Sequence, residues 1–403
     1  MSEFKVCFTK IKELLPHPNP VVERLEIAIV YGFQVIVQKG KYNVGDFALF
    51  IPIDSILNQD LESLILGPNP KIKFDKHRVK QIRIQKFPSQ GMLVPVEVVK
   101  EYLTFKGVLH PDKFCNLEVD LSGILNVHKY EPPTPEFQRN PREQTRKEKP
   151  LENPLFHKFN GLENVKWFPD LFKDGELVII QEKLHGSNCR AGKLRVVKPK
   201  AAHILNEVKN FNLKGALVLL CKFIKMTLNN EAVYENVYGS NNVELTNRNG
   251  NKGYYGENVY LNVLNKVNAF DKIKPNEIVY GELIGEGIQK NYHYGHKEHH
   301  FVIFDVKVFQ EDGTAVWLEP WEVELYAEER GFDIVPKLYY GTYNKEIAYG
   351  LTKGDSVYNP TQKIREGIVI KAVKYNDKSC PSNKKALKWI SEEYLDKDNS
   401  DNH

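Results

Sequence analysis

The chain has 403 residues, of which 41% are hydrophobic and 27% are charged. These fractions are ordinary for globular proteins, so they exclude a disordered or collagen-like chain, and the length predicts about two or three domains. The 56 basic and 52 acidic residues leave a formal net charge of +4, which permits a nucleic-acid partner without requiring one. Five widely spaced cysteines with no C-x-x-C pair argue for reduced thiols and against a zinc ribbon or a disulfide scaffold.

The N-terminus carries charges throughout residues 1–12 and has no apolar signal-peptide core. We therefore expect an intracellular protein, cytoplasmic or nuclear. The most apolar stretch, 215–226, is interrupted by Lys222 and Lys225 and is too short to span a bilayer. No membrane association is expected.

The first third of the chain has the pattern of a small β domain. Leu25–Val30 and Phe33–Gln38 are apolar runs joined by Tyr31-Gly32, which predicts a hairpin. Phe47–Ile53 predicts a further strand, and the alternation in Val79–Lys86 predicts a strand with one wet face. We predict a barrel or sandwich over residues 1–130. Its basic and aromatic residues suit a nucleic-acid backbone, or equally a solvated surface; they are Lys39, Lys41, Tyr42, Arg78, Lys80, Arg83 and Lys86.

Residues 131–154 are rich in proline and charge and poor in large aliphatic side chains, which predicts an extended, exposed linker. A second domain follows over residues 155–403 and mixes strands with helices. The predicted strands are Glu176–Glu182, Ile278–Ile284, Phe301–Phe309 and Gly367–Val373, and the predicted helical segments are Ala202–Asn229, Pro320–Arg330 and Lys384–Leu395.

Five short motifs in this second domain carry the chemistry. Lys183 ends an apolar strand and begins K-L-H-G, in which the glycine lets the backbone approach a phosphate-bearing ligand closely. Alone this pattern is weak, because a lysine at a strand end is usually a solvated surface residue. The motifs that follow in order are Gly281-Glu282-Leu283, Phe304-Asp305, the segment R-E-G-I-V-I-K from Arg365 to Lys371, and K-K-A-L-K from Lys384 to Lys388.

This ordered set resembles the covalent nucleotidyltransferase superfamily of polynucleotide ligases and mRNA capping enzymes. His185, with Ser187 and Asn188 behind it, resembles RNA ligases, because DNA ligases and capping enzymes usually show K-x-D-G. The N-terminal third resembles the OB-fold domain that precedes the catalytic domain in one RNA ligase family. The resemblance implies an α+β fold: an N-terminal OB-fold β-barrel that binds RNA, and a C-terminal ATP-grasp-like nucleotidyltransferase domain of antiparallel sheets flanked by helices.

The resemblance also implies an activity, the ATP-dependent joining of RNA 3′-OH and 5′-phosphate ends through lysyl-AMP and an adenylylated RNA end. Lys183 would be the nucleophile and Glu366 the carboxylate for Mg²⁺ or Mn²⁺. Since a free lysine amine is almost wholly protonated at neutral pH, the site must favour the neutral form. The implied ATP-binding residues are Glu182, Asn188, Arg248, Glu282, Phe304, Lys371 and Lys388. Glu282 would accept from a ribose hydroxyl, Phe304 would stack on adenine, and the two lysines would neutralise the α-phosphate. The implied substrate is nicked or broken RNA, and the implied form is a monomer.

Two features depart from the family pattern. The spacing from Lys183 to Arg248 is long, which makes 195–235 an insertion of unassigned role. Ala386 stands where a second basic residue is usual, so the partner of Lys388 is open between the two lysines at 384 and 385.

Two alternative functions remain open at the level of sequence. One is another covalent nucleotidyltransferase, a capping guanylyltransferase or DNA ligase, against which His185 argues. The other is a non-catalytic nucleic-acid-binding protein, against which the intact Lys183, Glu282 and Glu366 argue. A cluster of four histidines also suggests a metal site; they are His293, His296, His299 and His300.

The cluster contains no cysteine and only one acidic residue, which is a poor ligand set for zinc. We therefore favour the interpretation that this loop contacts nucleotide or RNA phosphate.

Overall fold

The computed structural model describes residues 4–68, 70, 74–115, 118–130, 152–196, 233–246, 258–310 and 312–396. The predicted linker falls almost wholly outside these ranges, as do the predicted helix Ala202–Asn229 and the candidate Arg248. None of the helices in the described ranges is long and apolar enough to cross a membrane.

The N-terminal part consists of short strands and two helices packed around buried aliphatic and aromatic side chains. Its strands form small antiparallel sheets in the orders β1-β5-β10, β2-β3-β4, β11-β6-β7 and β8-β9. The strands are β1 (Cys7–Lys10), β2 (Glu13–Pro16), β3 (Leu25–Val30), β4 (Phe33–Gln38), β5 (Phe47–Ile51), β6 (Ser55–Ile56), β7 (Arg78–Val79), β8 (Ile82–Ile84), β9 (Phe87–Ser89), β10 (Met92–Pro95) and β11 (His128–Lys129). The helices are α1 (Gln59–Leu66) and α2 (Val96–Phe105).

The hairpin predicted from the first two apolar runs is confirmed, with Val30 paired to Phe33 across the turn. The single strand predicted over Val79–Lys86 is wrong. The chain instead leaves β7, forms β8, and turns at Gln85 and Lys86, which both have positive φ, into β9. Residue alternation could not show this break, because it reports which face a side chain takes and not where pairing ends.

The C-terminal part contains two facing sheets. One has the order β12-β22-β21-β13-β20, and the other has the order β15-β14-β16-β17-β18, with β19 also paired to β17. The strands are β12 (Glu163–Asn164), β13 (Leu177–Lys183), β14 (Ser187–Arg195), β15 (Tyr234–Ser240), β16 (Glu277–Ile284), β17 (His300–Phe309), β18 (Ala315–Trp317), β19 (Asp333–Ile334), β20 (Lys337–Thr342), β21 (Gly367–Asn376) and β22 (Lys384–Ile390). The helices are α3 (Val259–Lys266), α4 (Ala269–Lys272), α5 (Pro320–Arg330), α6 (Lys345–Leu351) and α7 (Glu392–Leu395).

The four strands predicted in this part are confirmed within three residues at each end, and so is the helix Pro320–Arg330. That helix begins at a capping box of Glu319 and Glu322 and ends at Gly331 in the left-handed conformation, as such signals predict. The helix predicted over Lys384–Leu395 is wrong, since most of it is strand β22, which pairs antiparallel with β21. The four-residue spacing of Lys384 and Lys388 fits the period of a helix and also that of a strand, and only the pairing with a neighbouring strand decides between them.

Residues of both sheets meet in a core that includes Tyr280, Trp317, Tyr375 and Ala386. A second shared cluster contains Leu184, Ile284, Ile390 and Tyr394. Side chains of both sheets thus pack together between them, and the cleft described below lies at the edge where β13 and β16 end.

The N-terminal part docks tightly on the C-terminal part through Trp167. The Trp167 ring lies 4.9 Å from that of Tyr31, 5.0 Å from Phe33 and 5.6 Å from Phe50, between ring centroids. Gly32 donates its amide proton to the carbonyl of Lys166 at 2.7 Å. Aromatic pairs at these distances stabilise beyond their buried area, so the two parts form a fixed interface.

Candidate active site

Lys183 is the last residue of β13, an interior strand of its sheet. It pairs with Gly367 of β21, and alternation along β13 directs it toward the facing sheet, because Val178 and Ile180 fill the opposite face. An open cleft begins there between the ends of β13, β16 and β21. Its lining residues are Lys183, Leu184, His185, Gly186, Ser187, Asn188, Glu282, Gln289 and Glu366.

Gly186 is required by close packing of the K-L-H-G turn on β16. A Cβ atom at this position would lie 2.4 Å from the carbonyl oxygen of Leu283 and 3.1 Å from the Cβ of Glu282. The Gly186 carbonyl accepts a hydrogen bond from Gln289 Nε2 at 2.9 Å. The turn is thus fixed by β16 on one side and by the Gln289 loop on the other.

We expect Gly186→Ala to lower the free energy of unfolding by about 1–3 kcal/mol, because the added methyl group forces the turn away from β16. Denaturant melts of purified protein measure the change. The matched control is Gly350→Ala in α6, where nothing lies within 4 Å of the added Cβ and alanine should stabilise the helix. Equal melts for wild type and Gly186→Ala would show that the turn tolerates a side chain.

Lys183 and Glu366 form an ion pair at the mouth of the cleft, with 2.5 Å between Lys183 Nζ and Glu366 Oε1. The Glu366 side chain is 1% exposed, and its other oxygen, Oε2, has no hydrogen-bond partner. His185 Nδ1 lies 3.9 Å from that Oε2. Burial lowers the pKa of His185, and Lys183 adds to this effect while Glu366 opposes it. Lys183 therefore meets a buried carboxylate and a buried imidazole at the mouth of the cleft.

Glu282 and Asn188 face each other on neighbouring strands β16 and β14. Burial raises the pKa of Glu282 to about 8, against the opposing effects of Lys183 and of a hydrogen bond with Asn188. The Asn188 amide oxygen is buried and has no hydrogen-bond partner. A protonated carboxyl and an unpaired acceptor side by side form a polar surface suited to hydroxyl groups of a ligand.

The raised pKa of Glu282 predicts a specific pH dependence of stability. The folded protein holds this proton more tightly than the unfolded chain, so the stability that it contributes falls as pH rises from about 4.5 to about 8. Glu282→Gln cannot lose the proton. We therefore expect the melting temperature of Glu282→Gln, relative to that of wild type, to rise as the pH increases from about 5 to about 8.5. This is about the pH range between the unfolded and folded pKa values of Glu282. A difference that does not change with pH would contradict the raised pKa of this carboxyl.

One residue of the cleft, Glu366, is suited to bind a divalent cation. Glu366 Oε2 is a buried carboxylate oxygen without a donor, and Mg²⁺ is usually bound through one or two carboxylates with waters and phosphates completing its shell. Glu366 would hold such an ion or its waters. No group of three or more His, Cys, Asp or Glu residues within the described ranges is arranged to hold a metal by itself.

Glu182 does not line the cleft, although it precedes Lys183 in the chain. Its Oε2 accepts the amide protons of Val357 at 2.8 Å and Tyr358 at 3.1 Å. Adjacent strand residues take opposite faces, so Glu182 anchors the loop before Glu366 while Lys183 faces the cleft.

Phe304 and Lys371 are brought together beside a buried carboxylate. Lys371 Nζ donates to the Phe304 carbonyl and to Asp305 Oδ1, both at 2.7 Å. Asp305 also accepts hydrogen bonds from Tyr375 Oη at 2.8 Å and from Lys384 Nζ at 3.4 Å. Lys371 is 2% exposed, so its ammonium fixes the backbone of Phe304 and is not directed into the cleft.

The register of β21 and β22 explains the alanine in the last motif. Ala386 pairs directly with Lys371. The small methyl group of Ala386 therefore leaves room on that face of the sheet for the Lys371 side chain. Lys384 shares the face of Ala386 but is fully buried, with its Nζ 3.5 Å from the centre of the Phe159 ring. Lys371 and Lys384 are therefore both committed to Asp305.

Lys388 pairs with Val369 of β21, two residues from Gly367, the β21 residue that pairs with Lys183. Burial lowers the pKa of Lys388 to about 8, and the cations Lys183 and Lys129 lower it further. Lys388 lines a cavity of about 80 Å³ together with Lys129 and Asp54 from the N-terminal part. The N-terminal part thus contributes charge to the same side of the site, which the sequence did not predict.

The basic residues predicted for a nucleic-acid groove are partly engaged elsewhere. Arg78 is buried against Asp54 at 2.6 Å, and Lys80 pairs with Asp75 at 3.0 Å. Arg83 pairs with Asp396 near the C-terminus. The rings of His296 and His300 lie 4.0 Å apart between centroids and are tilted by 39° to each other.

Sequence reasoning missed three residues that shape the site. Gln289 holds the turn, Asp305 holds two lysines, and Tyr394 contacts His185. Asp305 is part of the Phe304-Asp305 motif, but the sequence assigned it no role. The sequence also assigned no role to Gln289, and nothing local marks Tyr394.

Comparison with known proteins agrees with this architecture. The RNA ligase family model matches residues 176–390, and an OB-fold domain model matches residues 6–96. Among solved structures, Naegleria gruberi RNA ligase with PPi is similar at a TM-score of 0.66 and 20% identity, covering 98% of each chain. A mutant of that ligase with ATP and Mn has a TM-score of 0.65 at 20% identity, covering 97% of this chain and 98% of that one. No curated protein matches the chain.

Two facing sheets with a lysine at their cleft, preceded by an OB-fold, define an α+β architecture. The chain belongs to the RNA ligase family.

Proposed function

We propose that the protein joins RNA 3′-OH and 5′-phosphate ends with ATP, through lysyl-AMP on Lys183 and an adenylylated RNA end. The observation that carries the proposal is the contact of Lys183 with the buried Glu366 side chain, beside the buried His185, at the end of β13. Around it lie two buried oxygens without donors, on Asn188 and Glu366. The similar Naegleria ligase was solved with ATP and Mn and with PPi, which supports the choice of nucleotide.

In the first step, Lys183 Nζ forms a bond to the α-phosphorus of ATP, and the bond from that phosphorus to the bridging oxygen breaks to release pyrophosphate. The attacking amine must be neutral. Glu366 Oε1, 2.5 Å from Nζ, is placed to take up the ammonium proton. A divalent cation held by Glu366 would supply positive charge against the phosphates.

Other residues orient the nucleotide in this proposal. Asn188 and Glu282 meet the ribose hydroxyls, and Phe304, fixed by Lys371, offers a ring face to adenine. Lys388 neutralises charge that develops on the α-phosphate. Glu182 acts through the loop that it anchors, and Arg248 is proposed on the phosphate side from the family resemblance alone.

The remaining steps transfer AMP and then seal the RNA. An oxygen of the RNA 5′-phosphate attacks the α-phosphorus of lysyl-AMP, which breaks the phosphorus–nitrogen bond and returns Lys183 to its amine form. The 3′-OH then attacks the 5′-phosphate and AMP leaves. We propose nicked or broken RNA as the substrate, a monomeric enzyme, and an intracellular location, cytoplasmic or nuclear. The proposed division is an RNA-binding OB-fold domain at 1–130, a linker at 131–154 and a nucleotidyltransferase domain at 155–403.

The test is incubation of the full chain with α-labelled ATP or GTP and Mg²⁺, followed by denaturing electrophoresis. We expect ATP to label the protein covalently and GTP not to. Labelling by GTP would indicate a capping enzyme, and labelling by neither would indicate a non-catalytic protein. Labelled 5′-phosphate RNA at a nick then measures sealing, with an all-DNA nick as the comparison; preferential sealing of the DNA nick would contradict an RNA substrate.

A further inference from the structure

The short helix α7 follows β22 and places Tyr394 against the turn that contains His185. The Tyr394 side chain is fully buried. Its hydroxyl lies 3.3 Å from His185 Nδ1 and 3.4 Å from Nε2, and the two ring centroids are 5.5 Å apart. A hydroxyl this close to both ring nitrogens acts directly on the orientation of the imidazole.

His185 is also enclosed by Tyr292, Tyr294 and Glu366. The Tyr292 ring meets it edge to face at 5.0 Å between centroids. Tyr294 Oη accepts the His185 backbone amide proton at 2.7 Å, which fixes the main chain and not the ring. On its other side the ring faces Glu366 Oε2 at 3.9 Å. Tyr394 is therefore positioned to hold the imidazole ring where its Nδ1 faces Glu366.

The same helix is bonded to the N-terminal domain. Asp396, which directly follows α7, accepts from Gln81 Nε2 at 2.8 Å and from Arg83 Nε at 2.7 Å. Gln81 also reaches the backbone carbonyl of Glu392 at 3.4 Å. Helix α7 and the residue after it are thus hydrogen-bonded to the N-terminal domain, and Tyr394 of the same helix contacts His185.

We propose that Tyr394 is a positioning residue for His185, and that the docked N-terminal domain acts on the site through the helix that carries Tyr394. The proposal rests on the proposed function, because His185 acts here through the Glu366 carboxylate that is paired with Lys183. Without the tyrosine hydroxyl the imidazole gains rotational freedom, and Glu366 loses a fixed neighbour. Tyr394 does not line the cleft, so nucleotide binding should be spared.

The first test compares Tyr394→Phe with wild type in single-turnover formation of lysyl-AMP from labelled ATP. We expect the rate to fall about tenfold, the size of effect expected from loss of one orienting hydrogen bond, with the ATP concentration for half-maximal rate unchanged. The matched control is Tyr349→Phe, whose hydroxyl bonds to Glu392 Oε2 on the same helix at 3.3 Å and does not contact His185. We expect the control to behave as wild type.

A second readout does not depend on activity. In protein labelled with ¹⁵N-histidine, the ring nitrogen signals of His185, assigned through His185→Gln, should shift in Tyr394→Phe and stay in place in Tyr349→Phe. Unchanged signals, a wild-type rate in Tyr394→Phe, or equal loss in both tyrosine variants would overturn the positioning role. Wild-type protein that takes no label from ATP would instead overturn the proposed function, and the ring signals would still report the contact.

The link to the N-terminal domain is tested by Arg83→Gln, alone and combined with Tyr394→Phe. Alone it should slow lysyl-AMP formation a few fold, and in the double variant it should add nothing, because residues that act through one contact are not additive. The control is Lys80→Gln, which breaks the exposed pair with Asp75 on the same domain away from α7. Additive effects of Arg83→Gln and Tyr394→Phe would overturn this route.

Discussion

Lys183→Met is expected to abolish covalent labelling by ATP while the protein remains folded. Methionine keeps most of the length of the side chain but supplies no amine, and among the described residues that line the cleft Lys183 is the only lysine. Labelling depends on a phosphorus–nitrogen bond at this atom, so the loss should be complete within detection. Denaturing electrophoresis after incubation with α-labelled ATP measures it.

The control for this variant is Lys385→Met. Lys385 lies in the same sheet and forms an ion pair of similar length, 2.7 Å, with Glu176, at the end of β13 away from the cleft. It should label as wild type does. AMP found on the Lys183→Met protein would exclude Lys183 as the nucleophile, and thermal melts of both variants show whether folding is intact.

Glu366→Gln should slow lysyl-AMP formation by on the order of a hundredfold or more, as loss of a charged group at the reacting centre usually does. The amide cannot take up the Lys183 proton, and it binds Mg²⁺ more weakly than a carboxylate does. We therefore also expect a higher Mg²⁺ concentration for half-maximal rate. Initial rates over a Mg²⁺ series at saturating ATP measure both effects.

Glu176→Gln is the matched control, since it removes the partner of Lys385 and leaves the cleft untouched. Its rate and Mg²⁺ dependence should equal those of wild type. A Glu366→Gln enzyme that keeps the wild-type rate at limiting Mg²⁺ would show that the carboxylate neither holds the cation nor assists Lys183.

Much of the site was predictable because its parts are local. A strand that ends at Lys183, a glycine three residues later and a carboxylate before an apolar strand are each contained in a few neighbouring residues. Their order along the chain pointed to the family, which the family model confirms. The hairpin at Tyr31 and the capped helix from Pro320 were predictable for the same reason, since turn and cap signals act over a few residues.

Other features depended on contacts between distant segments. Lys183 and Glu366 are separated by 183 positions, and only the pairing of β13 with β21 brings them together. The alanine at 386 was unexplained until the register placed it opposite Lys371. The period of K-K-A-L-K fits a helix or a strand, and its pairing partner decided in favour of a strand.

The amino-acid sequence by itself determined the chemistry available to this protein: the order of motifs, the lysine at the end of a buried strand, and the OB-fold pattern before it. The tertiary structure decided what each group does. It buried Lys371 and Lys384 against Asp305, placed Lys388 beside the N-terminal domain, and set Tyr394 on His185. The physical reason is that side-chain periodicity is a local property, whereas burial, charge pairing and strand register arise only when distant segments pack together.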